Sequence, residues 1–403
     1  MTDPELAGRT GRVDRVAADI AVIGDGPAGT SLAASLTEAT EFDVVLIGPD
    51  DAWSPTYSAW ADEIELNPLA PPDVWRHRVD SIDVRARMTR TLSRPYGVID
   101  NDRLRAHLRR DVRHHRGVIG SHRDVDASLV FDATGWPSRL DAGVDAARPQ
   151  GGPDWQIAYG VVLESAPAGP LGRPMLMDFS DPYGATGASD GLGVSTFAYA
   201  LPVDSGWLVE ETVLVGPDIE PRELQERLAA RLGTSPDELH ERAVETEEVR
   251  IPMGAPMSSP GHPVAFGAGA GLIHPATGYS VAASLSAAVR VGDALSDASH
   301  TLTSDDLERR AFEALWPAGM RRTRRFHEYG LDVLTGLDDE MIRTFFDVFF
   351  SLDERDQGAY LSVDSSPADI ARVMTRMFAR SPWSLRRRLA GGDPRSLVRV
   401  LRP

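Results

Sequence analysis

"GDGPAGTSLAASL", residues 24–36, puts Gly24, Gly26 and Gly29 at the spacing of a phosphate-binding loop and runs directly into a helical pattern. The apolar run "DIAVIG" (19–24) precedes it and "DVVLIG" (43–48) follows, each with the β-branched content of a buried parallel strand. Strand, glycine loop, helix and strand in this order make a βαβ unit. The loop N–H groups and the helix N-terminus would meet a pyrophosphate there, and Gly26 lets the backbone approach it closely. A glycine turn in an α/β protein with no ligand is the plainer alternative. The dinucleotide fingerprint also asks for Asp or Glu at the end of the second strand, to bind the adenosine ribose. Gly48 stands there instead, and Asp50, two residues on, is the expected substitute.

The same grammar recurs downstream. "SLVFDATG" (128–135) is a strand running into Ala133, Thr134 and Gly135, small residues that allow backbone to lie against a second stretch of cofactor. The stretch from 263 to 295 repeats strand, glycine loop and helix, carrying Gly269, Gly271, His274, Pro275, Thr277, Gly278 and Tyr279 through "GAGAGLIHPATGY". Between these lie the strand-like runs "WQIAYGVVLE", "STFAYAL" and "GWLVEETVLV". In "DEMIRTFFDVFFSL" Met341, Ile342, Phe345, Phe346, Phe349 and Phe350 recur at helical spacing. The expected organisation is an α/β chain with a discontinuous cofactor domain (17–150 and 250–303), a mixed sheet covering the substrate (151–249) and a helical C-terminal segment (304–403).

Composition narrows the classes. The 403 residues are 42% hydrophobic, enough for a sizeable core, and the formal charge of -18 disfavours a nucleic-acid partner. The C-terminal segment is the basic end, with 15 Arg against 12 Asp plus Glu from 320 to 403. With no Cys there is no disulfide, no thiolate nucleophile and no Cys-ligated metal; no metal site is expected. No apolar run approaches the roughly 18 residues of a membrane span, so the expected location is cytoplasmic, with peripheral contact to the cytoplasmic membrane left open.

Together "IGDGPAG", "WSPTYSAWADEIE", "YGVIDNDRLRAHL", "VFDATGWPSR", "WQIAYGVVLE", "LMDFSD", "TFAYALP", "LVEET", "IPMGAP", "GLIHPATGYS" and "WPAGMRRTRRFHEYGLDVL" occur in one order. By these motifs the chain resembles the flavin-dependent lycopene β-cyclases of bacteria and plants, from about Asp19 to about Leu361. The resemblance implies a Rossmann-like FAD-binding fold of the aromatic-hydroxylase and geranylgeranyl-reductase type. It also implies an intramolecular lyase (isomerase) of carotenoid biosynthesis that closes acyclic end groups to β-ionone rings. Members use reduced FAD, with NAD(P)H as reductant, yet leave substrate and product at one oxidation level.

Protonating an alkene calls for a carboxyl kept neutral by burial. The family's "FLEET" signature reads Leu208, Val209, Glu210, Glu211 and Thr212 here, and strand alternation sends the two glutamates to opposite faces. Glu210 is the preferred acid and Glu211 the alternative. Trp53, Tyr57, Trp60, Phe197 and Tyr199 are candidates for the wall of a cation-tolerant pocket, each equally explicable as core packing. Asp62 or Glu63 is the candidate acceptor of the departing proton. The cofactor contacts expected are Gly24, Gly26, Pro27, Ala28, Gly29, Asp50, Ala133–Gly135, Gly269, Gly271, His274, Pro275 and Thr277–Tyr279. His274 reads as a general base or, preferably, as an organiser of its loop. Arg321, Arg322, Arg324 and Arg325, beside Trp316 and Phe326, read as a solvated face or a membrane-surface patch. Three competing functions stay open: a redox enzyme of the same fold such as a polyprenyl reductase or hydroxylase, a cyclase of another terpenoid polyene, and a non-enzymatic carrier.

Overall fold

The computed structural model describes residues 15–140, 154–183, 193–362 and 364–391. The glycine-loop unit forms as its pattern predicts. Strand Ile20–Ile23 leads through the loop into helix Pro27–Ala39 and out to strand Val44–Gly48, with both strands wholly buried. They lie at the centre of a five-stranded parallel sheet. Its order is Val264–Ala265, Leu129–Asp132, Ile20–Ile23, Val44–Gly48 and Arg113–Arg116. Two of its strands come from far along the chain, which brings the three glycine turns together at the C-terminal ends of neighbouring strands. The polar edge strand "RHHR" gives no strand signal in the sequence, because its side chains face solvent or charged partners and not a core.

The loop is shaped by backbone contact. A Cβ on Gly29 would sit 1.8 Å from the Gly24 carbonyl oxygen, and one on Gly24, at φ +108°, would strike the Ala133 carbonyl. Helix Val281–Leu295 lies on helix Pro27–Ala39, where Gly292 lets it come against Ser35.

A second sheet has seven strands. Its order is Ala243–Pro252, Trp155–Leu163, Gly206–Val213, Thr196–Val203, Met175–Asp178, Ile82–Arg85 and Thr89–Leu92. All neighbours are antiparallel except Met175–Asp178 with Ile82–Arg85. The hairpin 82–92 therefore joins this sheet although it lies in the stretch read as cofactor domain, and Ala243–Pro252 carries it past residue 250. The expected division at 150/151, and the C-terminal segment beyond 391, lie outside the described residues.

Two layers cover the second sheet. On one face Val209, Val213 and Tyr159 pack with Leu224 and Leu228 of helix Pro221–Leu232. On the other, Phe197 belongs to a cluster with Phe346 and Phe349 of helix Asp339–Phe349. Among the described residues no helix is long and apolar enough to cross a membrane.

The loop geometry separates two glycines. Gly29→Ala must displace backbone, and overpacking of this kind costs typically about 1–3 kcal/mol, so its melting temperature should fall. A Cβ on Gly26 meets nothing within 4 Å, so Gly26→Ala should melt like the wild type. Thermal unfolding of the two variants checks the contrast; equal melting would show that the loop relaxes freely.

Candidate active site

Strand alternation places Leu208, Glu210 and Thr212 on the face of the second sheet turned to a cavity of about 400 Å³, with Glu211 on the face turned to helix Pro221–Leu232. This volume lies within the range of small-molecule sites. Ala158 and Gln156 share the cavity face, as do Phe197 and Tyr199; Tyr57, Trp60, Tyr96, Tyr279 and the phenylalanines Phe346, Phe349 and Phe350 supply further walls.

One rung of the sheet carries the chemistry. Across it Tyr199 is opposite Glu210, Glu210 opposite Gly160, and Gly160 opposite Glu247. A Cβ on Gly160 would come 2.8 Å from Glu210 Cγ, so the glycine makes the bed in which the Glu210 side chain lies. A glycine inside a strand signals such a close approach, and the Gly in "WQIAYGVVLE" is that signal. Glu247 is hidden in the charged run "ETEEVR" and has no comparable mark in the sequence. Its carboxylate accepts from Thr56 N (2.7 Å) and Thr56 Oγ1 (2.6 Å), tying the aromatic segment 53–60 to the sheet.

Burial, reinforced by the Glu247 carboxylate, pushes the Glu210 carboxyl up to about 8. Among the described residues no salt bridge offsets this, so Glu210 holds its proton at neutral pH. Glu211 has the opposite surroundings. It is fully buried, its Oε2 2.7 Å from Arg231 Nε and its Oε1 3.5 Å from Arg227 Nε, with the Thr196 hydroxyl donating to it. It sits in a buried structural ion pair.

The tyrosines form a chain. Tyr96 and Tyr279 hydroxyls are 2.7 Å apart, Tyr199 donates to Ser58 Oγ at 2.9 Å, and Tyr199 and Tyr96 lie 3.4 Å apart. Burial raises all three well above the usual phenol value, so they are neutral donors and acceptors.

Three expectations need correction. Asp62 and Glu63 do not line this cavity: both bond to Arg94, which stacks over the Trp60 ring at 4.7 Å, and they face a separate depression with Arg94 and Asp364. Burial raises Glu63 to about 7, against the pull of Arg94. Trp53 is turned away as well, its Nε1 donating to the Asp25 carbonyl at 2.9 Å beside the glycine loop. The arginine cluster is a solvent face only in part: Arg322 is exposed and Arg321 and Arg325 are half-buried, whereas Arg324 belongs to the core. Arg324 is buried and donates to the carbonyls of Ala255, Gly271 and Ile273, while Arg321 donates to the Trp316 carbonyl. Asp50, at φ 70°, stays beside the glycine loop: its N–H donates to Asp25 Oδ2 (2.9 Å), and its half-exposed carboxylate accepts from Arg109 and from Arg105 (2.6 Å), which lower it.

His274 is buried against the His327 ring, 4.4 Å between centroids, and burial with the nearby Arg324 holds both imidazoles neutral, His327 at about 3. Its carbonyl accepts from the N–H groups of Thr277 (3.2 Å) and Gly278 (2.8 Å), and its Nδ1 accepts from Ala276 N (3.2 Å). These bonds shape the turn that carries Gly278 and Tyr279 to the cavity. Gly278, at φ +76°, lies against Gln156 Oε1.

The three glycine turns meet at the cavity's far side. A Cβ on Gly267 would touch Ala28, and one on Gly269 the Gly135 carbonyl, so Pro27–Gly29, Ala133–Gly135 and Gly267–Gly271 are neighbours. At Gly26 and Gly135 a Cβ would enter open space, and Gly26 caps the helix without a side-chain bond, leaving its first N–H groups to a ligand. This cradle fits a dinucleotide pyrophosphate.

Comparison with known proteins places the chain among relatives of one kind. The family model described as "Lycopene cyclase protein" matches residues 19–387. Capsanthin/capsorubin synthase of Citrus sinensis is 30% identical over 96% of this chain and 82% of its own length. Lycopene beta cyclase of Arabidopsis thaliana is 32% identical over 85% and 74%. A protein of Deinococcus radiodurans described as an uncharacterized carotenoid cyclase is 33% identical over 92% of each. Among solved structures, a geranylgeranyl bacteriochlorophyll reductase-like protein from Thermoplasma acidophilum superposes with a TM-score of 0.60 at 14% identity, covering 91% of this chain and 98% of its own. A myxobacterial chondrochloren halogenase, a variant of FAD-dependent halogenases, superposes at 0.50 and 14%, covering 91% and 98%. These likenesses show the fold, which is the flavoprotein fold that the sequence motifs lead one to expect.

The Glu210 environment has a stability signature. Between 4.5 and about 8 the folded chain keeps a proton at Glu210 that the unfolded chain releases, so this group's contribution to stability falls as pH rises through that window. Glu210→Gln abolishes the dependence. Relative to wild type, the melting temperature of the variant should therefore rise from about pH 5 to about pH 8; parallel pH profiles would show an ordinary, ionised carboxylate.

Proposed function

The chain belongs to the lycopene cyclase family, and from that premise we propose that it is a lycopene β-cyclase. It closes acyclic carotenoid end groups to β-ionone rings with reduced FAD bound and no net change of oxidation level. The observation that carries this reading is Glu210, a carboxylic acid held neutral at an aromatic-walled, largely apolar cavity. Such a group is the acid an unactivated alkene needs.

The reaction balances without electrons. Glu210 gives its proton to C2 of the terminal C1=C2 bond, leaving a tertiary cation at C1. The C5=C6 pair attacks it, forming the C1–C6 bond and moving the charge to C5. Loss of the C6 proton closes the β ring, and the Glu210 carboxylate takes that proton back. Tyr199, Tyr96, Tyr279, Trp60 and Phe197 present rings to this path; an aromatic face steadies a cation by about 0.5–2 kcal/mol. The Tyr–Tyr–Ser hydrogen bonds fix those rings and leave few polar atoms free to bring in water.

The groups that would hold FAD are the N–H groups of Gly26, Ala28 and Gly29, with Ala133–Gly135 and Gly267–Gly271 alongside. Held there and reduced, with NAD(P)H as the reductant, a flavin would supply the negative charge that favours a cationic transition state. The Thr277–Tyr279 turn, shaped by His274, stands between this cradle and the cavity.

Peripheral membrane contact suits a lipid-dissolved substrate. We assign it to the surface around Trp383 and Phe378, which are exposed large apolar residues next to Arg387 and Arg388. Trp383→Ala should reduce co-sedimentation with anionic vesicles; undiminished binding would move the contact elsewhere.

Expression in a lycopene-accumulating host, with pigment analysis, tests the activity. Glu210→Gln should fold and lose cyclisation by at least about 10²–10⁴-fold. Glu211→Gln should instead melt lower, since Arg231 loses its charged partner, while keeping its activity per folded molecule. Retained activity in Glu210→Gln alongside loss in Glu211→Gln would move the acid to the other face. Flavin oxidised per ring formed should be close to zero, and a value near one would favour redox chemistry.

A further inference from the structure

Gly48 ends its strand without the acid that a ribose-binding site of this type places there. The space is filled all the same. A Cβ built on Gly48 would lie 2.0 Å from Asp25 Cγ and 2.3 Å from Asp25 Oδ1. The Asp25 carboxylate, sent across from the glycine loop, thus occupies the position in which a strand-end side chain would begin. Strands Ile20–Ile23 and Val44–Gly48 are parallel neighbours in register, Ile23 beside Ile47, so a residue just beyond the first reaches the end of the second.

Asp25 is built into this place. Its carbonyl accepts from Thr30 Oγ1 (3.0 Å) and Trp53 Nε1 (2.9 Å). Its Oδ2 accepts from Asp50 N (2.9 Å) and Arg109 Nη2 (2.7 Å), with His114 Nε2 at 3.4 Å. These contacts go to Oδ2, while Oδ1 lies on the Gly48 side. Asp50, whose Oδ1 is taken by Arg105 and Arg109, is the poorer candidate despite its place in the sequence.

We infer that Asp25, in exchange for the acid missing at Gly48, is the carboxylate that binds the adenosine ribose of the dinucleotide. The inference rests on the FAD reading above. Asp25 and Gly48 form a reciprocal pair: an acid at either position requires the other to be small.

The test is flavin titration of stripped protein, followed by fluorescence quenching, with FAD and with an analogue lacking the adenosine 2′-hydroxyl. Wild type should prefer FAD about tenfold or more. Asp25→Asn should weaken FAD about 10- to 100-fold, the range for one charge-assisted hydrogen bond, and bind both flavins equally. Asp25→Gly combined with Gly48→Asp should recover both affinity and preference. If Asp25→Asn keeps the preference, whatever its melting temperature, Asp25 is an anchor for the Asp50 turn and the inference is overturned. A wild type that binds FAD without preference also overturns it and leaves the FAD reading intact. A wild type that takes up neither flavin overturns both.

Discussion

A carboxyl group that stays protonated near neutral pH must be kept from water and from cations alike, and a β-strand offers a direct way to do so beside a second carboxylate of opposite character. Glu210 and Glu211 are adjacent in sequence but separated by the thickness of the sheet. On one side Arg231 and Arg227 pair with Glu211 between sheet and helix. On the other, Glu210 faces aromatic rings and a neighbouring carboxylate. Moving either arginine to the cavity face would ionise the acid, so the placement of helix Pro221–Leu232 on the far side protects the chemistry as much as it stabilises the sheet.

The Glu210 rung links the sheet to the aromatic wall. Gly160 gives the acid room, Tyr199 flanks it, and Glu247 both raises its proton affinity and grips Thr56. The segment carrying Tyr57, Ser58 and Trp60 is therefore positioned by the same residues that tune the acid. Behind Trp60, Arg94 collects Asp62 and Glu63 and keeps their charge out of the cavity. Carboxylates are plentiful around this site; arginines pair with Glu211, Asp62 and Glu63, while Glu210, buried with Glu247 as its nearest charge, has no such partner among the described residues.

The cofactor side obeys a different constraint, close approach of backbone. Three turns distant in sequence meet through contacts that only glycine permits, and Arg324 fastens the third by gathering carbonyls of the segments before and within it. Its two Nη groups meet backbone carbonyls and its Nε meets Glu328 at 3.1 Å, which is why an arginine in a run of four can be core and not surface.

Local periodicity was enough to read the βαβ unit, the helix at 339–349, the strands at 155–163, 196–203 and 206–213, and the opposite facing of Glu210 and Glu211, because each follows from side-chain directions within one element. Glycine spacing likewise marked all three turns of the cradle. The tertiary structure alone decided what faces what. It chose the face of Gly206–Val213 that helix Pro221–Leu232 would cover, brought Glu247 to Glu210 across Gly160, and withdrew Asp62, Glu63 and Trp53 from the cavity. It also put the Asp25 carboxylate over Gly48. Each of these depends on contacts between segments far apart in the chain, where charge pairing and steric room are set by neighbours that no local pattern names.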